Sequence, residues 1–258
     1  MLNPAPVPHN QRDANGLLSI GNRVAQFAVN CLFTSLGSMP LDYFTFSERD
    51  FHAELYHQCR KRFSPRAINR QFPNELAVQH PITLTSESGK TTGAARDNYN
   101  IAMDWKIPDL LFHNPVGLES QWCAVELKRR NISTNEDSIR KDIKNLLFYV
   151  SGRLNFYHAV FILNNMPRNP LIMAHNFAPG NIFTTGDLLT LLDEEIQNVE
   201  DARPEYLELW VINPPAAAQN DQDPLFFLER SICNSNRPGD LWQRQRYVRR
   251  GNRLGLIR

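Results

Sequence analysis

The chain has 258 residues, 42% of them hydrophobic and 21% charged, with a formal net charge of +1. That size and composition suit a globular protein of one ordinary domain with additions, or two small domains, and exclude a polycation that holds nucleic acid by bulk charge. No apolar run nears the ~18 residues needed to cross a bilayer, and the four cysteines, Cys31, Cys59, Cys123 and Cys233, form no Cys-x-x-Cys pair of the kind that signals zinc or a redox dithiol.

The opening Met1–Pro8 is proline-rich and lacks the basic start and apolar core of a signal peptide. Residues 1–14 are expected to be a disordered arm. With the unpaired thiols, this points to a reducing, cytoplasmic setting and no membrane association. Residues 16–36 place Leu17, Ile20, Val24, Phe27, Ala28, Cys31 and Leu32 on one stripe of a helix, with Gly37 as its stop. The segment 15–46 is expected to serve packing or dimerisation, ahead of a core over 47–215 and an extension over 216–258.

A second helix begins at Ser47, which has the spacing of a capping box with Asp50. Phe51, Leu55 and Cys59 form its buried stripe. Glu54 lies at the stripe's border, either as a boundary side chain with its tip in water or as a site acid; Glu48 is the second choice for that role. His52 and His57 are five apart, so they do not stack as a metal pair and read as ordinary boundary residues. Arg60, Lys61, Arg62, Arg66 and Arg70 make a basic run, solvated or lining a phosphate path.

Residues 75–84 alternate Leu76, Val78, His80, Ile82 and Leu84, a strand pattern in which His80 packs into the sheet. The loop from Thr85 to Asn98 carries Lys90 and Arg96 and is long for a hairpin; it either contacts substrate or is simply flexible. A strand over 103–109 ends in Pro108-Asp109. After a turn-rich interval, Cys123, Val125 and Leu127 alternate with Ala124, Glu126 and Lys128. Strand side chains alternate between faces, so Glu126 and Lys128 share one face while Val125 and Leu127 enter the core. Taken alone, such a pair is a solvated ion pair worth ~0–1 kcal/mol. Its place near a strand end, with Asp109 upstream, makes it a candidate site.

A helix follows from Thr134, with Glu136 and Asp137 in its first turn and Ile139, Ile143, Leu146, Leu147 and Val150 as its stripe. Asp142 and Asn145 flank that stripe without a specific role. His158–Leu163 reads as a buried parallel strand. Thr184–Val199 is a helix with Thr184 and Asp187 at its start, and Tyr206–Ile212 is a strand ended by Pro214-Pro215. Pro224–Arg230 is a strand or a helical turn. From Arg244 the tail carries Arg246, Arg249, Arg250, Arg253 and Arg258 with no acid among them, interleaved with Trp242 and Tyr247. It is a solvated tail or a nucleic-acid arm combining phosphate contacts with stacking.

Ile107-Pro108-Asp109, a gap, and Glu126-Leu127-Lys128 resemble the signature of the PD-(D/E)XK nuclease superfamily, over roughly residues 47–165. The resemblance implies an α/β fold with a restriction-endonuclease-like mixed central sheet flanked by helices. It implies metal-dependent hydrolysis of phosphodiester bonds, of DNA more than RNA, and a host-defence or restriction role. Mg²⁺, with Mn²⁺ as a substitute, would be held by Asp109, Glu126 and the main-chain carbonyl of Leu127, reached also by Glu54. Hard oxygen donors of that kind suit this ion. Lys128 would position or deprotonate the attacking water, or steady a phosphoryl oxygen. Lys90, Arg96, Arg244, Arg246, Arg249 and Arg250 are the candidate nucleic-acid contacts. Cutting both strands of a duplex suggests a homodimer, or a larger defence complex. The alternatives are a nuclease-like module that binds or scaffolds without cutting, and an unrelated α/β enzyme in which Glu54 lies far from Asp109.

Overall fold

The computed structural model describes residues 20–72, 83–86, 108–113, 121–129, 136–151, 156–166, 183–215, 225–233 and 242–257. The arm 1–14, His80 and most of the 75–84 segment, Lys90, Arg96, residues 103–107 and Thr134 lie outside the described residues.

Near-continuous apolar runs become strands buried on both faces. Here β3 (Gln121–Arg129), β4 (Ala159–Asn164) and β5 (Leu207–Asn213) run parallel at the centre of the sheet, with Lys128 opposite Leu163 and Leu163 opposite Val211. Parallel neighbours need long crossovers, and helices supply them. α5 (Glu136–Val150) links β3 to β4, and α6 (Thr185–Ile196) links β4 to β5. The two helices pack on each other and bury Ala124, Phe161, Leu163, Leu209 and Val211. The opposite face buries Val125, Leu127, Ile162, Trp210 and Ile212 under α1 (Ile20–Ser38), α2 (Asp42–Thr45), α3 (Glu48–Arg62) and α4 (Pro65–Gln71).

Antiparallel strands flank this centre. β1 (Thr83–Ser86) and β2 (Leu110–His113) precede β3; β6 (Phe226–Cys233), β7 (Trp242–Arg250) and β8 (Arg253–Leu256) follow β5. The result is one eight-stranded mixed sheet in which strand order follows chain order. No described helix is long and apolar enough to cross a membrane.

Several local expectations hold. Ser47 and Asp50 form a reciprocal capping box at the start of α3, and Thr184 and Asp187 do the same for α6. Others change. Gly37 does not stop α1, which continues to Ser38. A Cβ at Gly37 would lie 3.4 Å from the Leu254 backbone nitrogen, so the residue's smallness admits β8 against the helix. β2 begins at Leu110, so Asp109 precedes a strand rather than ending one. The basic tail is no arm: it is the β7–β8 hairpin, turning at Gly251 with φ +55°. Its inward face carries Tyr247 and Arg249 in place of aliphatics, which hides the strand pattern from hydrophobic alternation.

Glu208 on β5 shows how this fold accommodates a buried charge. It is 3% exposed. His158 Nε2 donates to it at 2.9 Å, Trp210 Nε1 at 2.7 Å and Arg230 Nη2 at 2.7 Å, and Arg230 Nε donates to its second oxygen. Burial pushes its pKa up, but the hydrogen bonds from Arg230 and His158 outweigh burial and hold it near about 2. Because the folded value lies below the unfolded one, the stabilisation is present above the usual carboxylate range and is lost as pH falls toward 2. The depression corresponds to about 3 kcal/mol. Glu208→Gln is expected to remove most of that contribution near pH 7 and to flatten the acid limb of the stability profile between pH 4.5 and 2. Urea denaturation across that range measures both.

Candidate active site

Where β2 starts decides the site. Leu110 pairs with Val125, and no residue of β2 pairs beyond it. The N–H groups of Leu127 and Arg129 therefore meet that edge without a strand partner, and two carboxylates take them. Leu127 N–H donates to Asp109 Oδ2 at 2.7 Å, and Arg129 N–H donates to Glu48 Oε2 at 2.8 Å. Along a strand the N–H and C=O of one residue point to the same edge. The Leu127 carbonyl thus faces the same edge, between the two acids.

Glu126 and Lys128 share the face of β3 that α5 covers, in agreement with the alternation read from the sequence. That face is not open to solvent: Glu126 is 3% exposed. The Asp109 carboxyl lies beside the Glu126 carboxyl, near enough for each to affect the other's charge. Lys128 Nζ pairs with Asp142 Oδ2 on α5 at 2.8 Å, and the Asp142 side chain is 2% exposed. Asp109, Glu126, Leu127 and Lys128 thus lie together at the end of β3.

Glu54 is not brought to them. An α-helix turns 100° per residue, so Glu54 lies about 200° round α3 from His52. Its carboxylate accepts from Gln58 Nε2 at 2.7 Å. One turn apart on the site-facing side of α3 stand Glu48 and His52 instead. His52 Nε2 donates to the Asp109 carbonyl at 2.8 Å; a carbonyl only accepts, so that nitrogen carries the proton. The sequence alone ranks Glu48 second and gives His52 and Asp142 no role. The capping box is the available signal for Glu48, because a helix start held by Ser47 directs its first-turn acids past the helix end.

The electrostatics follow from crowding. Burial raises the Asp109 pKa most, and the nearby Glu48 charge adds to it; the Leu127 amide, His52 and Glu126 oppose it without cancelling it. Burial works against the Lys128 ammonium, but the hydrogen bond and charge of Asp142, with Glu48 and Asp109 behind, outweigh it and raise its pKa.

Among the described residues no group of three or more His, Cys, Asp or Glu side chains is placed to hold a metal ion. The hard donors at hand are the paired Asp109 and Glu126 carboxyls and the Leu127 carbonyl, with Glu48 beside them. Two carboxylates and a carbonyl are the donor chemistry Mg²⁺ takes, with water filling the remaining positions. A carboxylate that accepts an amide with one oxygen keeps acceptor capacity on the other.

The candidate nucleic-acid residues divide. Arg244 and Arg246 are exposed on β7, within 3.9 Å and 3.2 Å of Glu229. Arg250 is exposed at the end of the strand. Arg249 is buried: its guanidinium donates to the Leu36 and Gly251 carbonyls and lies over the Phe44 and Phe226 rings. Burial lowers its pKa to about 10. It braces α1 against the hairpin and meets no surface.

No protein-family model matches the chain, and comparison with curated proteins and with solved structures likewise gives no match.

Removing either member of the Lys128–Asp142 pair strands a buried charge. Lys128→Ala and Asp142→Ala are each expected to cost about 3 kcal/mol of stability. The double variant should cost clearly less than the sum, since the two groups answer each other. Chemical denaturation of the four proteins measures the coupling.

Proposed function

We propose that the protein is a metal-dependent nuclease of the PD-(D/E)XK type, with a restriction-endonuclease-like core running from α3 to β4. The single observation behind this reading is the convergence at the end of β3. Asp109 is fixed to the Leu127 amide, in contact with Glu126, and Lys128 lies on the same strand face as Glu126. The order of helix, antiparallel strands, crossover helix and parallel strand supports it. So does the site's position at the carboxyl end of a parallel strand, where open α/β sheets bind ligands.

Asp109, Glu126 and the Leu127 carbonyl would hold Mg²⁺, or Mn²⁺ in its place, with Glu48 reaching it directly or through water. When bound, the ion neutralises charge on the phosphoryl oxygens and lowers the pKa of a bound water. Lys128, kept charged by Asp142, offers an ammonium to a non-bridging phosphoryl oxygen and steadies charge as it builds there. A lysine so held is a poor base, so of the roles open to Lys128 the electrostatic one fits best. His52 holds the Asp109 main chain, and so its carboxylate, at the strand edge. DNA is the expected substrate, in a restriction or host-defence setting.

The test is direct. Supercoiled plasmid incubated with Mg²⁺ should be nicked or linearised, and EDTA should stop it. Glu126→Ala should lower the rate at least a hundredfold, or about 3 kcal/mol in the barrier. Glu48→Ala should act in the same direction, while Glu54→Ala should leave the rate within about threefold, under 1 kcal/mol. Cleavage that survives chelation or the Glu126 substitution overturns the mechanism. A wild-type protein that binds DNA but never cuts it leaves the non-cutting module as the reading.

A further inference from the structure

The β7–β8 hairpin carries a charged face that the mechanism above does not use. Along β7 the even positions Arg244, Arg246, Val248 and Arg250 point to one side, and Tyr247 and Arg249 point to the other, under α1. Arg253 on β8 stands directly opposite Arg250 and joins the first set. The face therefore carries Arg244, Arg246, Arg250 and Arg253. The acid beside them is Glu229 on β6, between Arg244 and Arg246. Arg250 and Arg253 have no carboxylate partner among the described residues. Like charges directly opposite each other destabilise an antiparallel pair, so this pairing works against the hairpin unless an anion lies between the two. The chain as a whole is only +1, so this face is more basic than the molecule's average.

We propose that this sheet face is a docking surface for the sugar–phosphate backbone of duplex DNA, held outside the cutting site; the inference takes its substrate class from the nuclease reading.

Three features select that partner. First, the arginines sit on hydrogen-bonded strands, Arg244 and Arg246 about 7 Å apart and Arg250 about 14 Å further along β7 with Arg253 opposite it, so they are held by the sheet and do not form a floppy tail. Second, the aromatics that a single-strand binder would stack on bases are engaged elsewhere. Tyr247 packs edge-on to Phe33 at 4.8 Å, and Trp242 packs against the core under α5 and α6. Charge without a stacking platform reads backbone, not bases. Third, the register runs level across five strands from Lys128 through Leu163, Val211 and Glu229 to Arg246. Four strand steps span about 19 Å, less than one turn of a duplex at about 34 Å. Arg250 and Arg253 lie further toward the end of the sheet where the candidate active site opens.

The test uses the full chain in EDTA, so that cutting plays no part. A fluorescently labelled mixed-sequence duplex and a single strand of equal length are titrated by anisotropy over a range of salt. The wild type should bind the duplex more tightly than the single strand, with log K falling linearly against log salt. A triple Arg246→Ala, Arg250→Ala, Arg253→Ala variant should bind at least tenfold more weakly at low salt. Its salt slope should shrink by two to three, about 0.9 for each phosphate no longer neutralised. The corresponding triple lysine variant should restore most of the slope. Should the triple alanine variant fail to fold by circular dichroism, Arg246→Glu alone, at an exposed side chain, should weaken binding and reduce the slope. Unchanged affinity and slope in a folded variant overturns the proposal, as does a wild type that ignores the duplex or prefers the single strand. A wild type that binds as stated yet never cuts with Mg²⁺ refutes the nuclease reading and leaves this surface standing.

Discussion

The strand β2 begins too late to pair the end of β3, and the site depends on that. From Leu127 onward the β3 edge offers amides to no neighbouring strand. A buried amide without a partner costs about 1–3 kcal/mol. Asp109 and Glu48 meet that cost with side-chain carboxylates, and in doing so are drawn to the edge next to Glu126. One geometric fact therefore satisfies the backbone, gathers negative charge, and aims the Leu127 carbonyl into the gathering. His52 completes the arrangement by fixing the Asp109 main chain to α3.

A buried and a half-buried carboxylate in this molecule show the difference between a charge that is settled and one that is poised. Glu208 receives hydrogen bonds from His158, Trp210 and Arg230, and its pKa falls to about 2. Asp109 lies among other acids, and burial raises its pKa despite the Leu127 amide. The first carboxylate has as much positive charge and hydrogen bonding as it can use. The second would gain from a cation. Groups displaced by burial and specific charged neighbours cluster where chemistry is done, and the contrast distinguishes the end of β3 from an ordinary structural ion pair.

The two faces of the sheet divide the labour. α5 and α6 cover the face that bears Glu126 and Lys128, and Asp142 reaches from α5 to hold the lysine. The other face carries the larger aromatic core, in which α1 clasps both β3 and β8. Arg249 belongs to this clasp: its charge is spent on the Leu36 and Gly251 carbonyls and on two aromatic rings. Its neighbours on β7 point the other way and keep their charge at the surface. Alternation along one strand thus turns a basic run into a structural half and an exposed half.

By itself the sequence determined what local rules govern. The capping residues Ser47 and Thr184 set helix starts, apolar runs marked the central strands β4 and β5, and period-two alternation placed Glu126 and Lys128 on one face with Val125 and Leu127 on the other. Each of those rests on residues a few positions apart. Only the tertiary structure decided that Glu48 and His52, and not Glu54, meet the strands, that Asp142 holds Lys128, and that Arg249 is buried while Arg246 is not. The angle at which a helix crosses a sheet selects which turn touches it. That angle is set by packing between segments far apart in the chain, so the capping box that marks the helix start could not by itself rank Glu48 above Glu54.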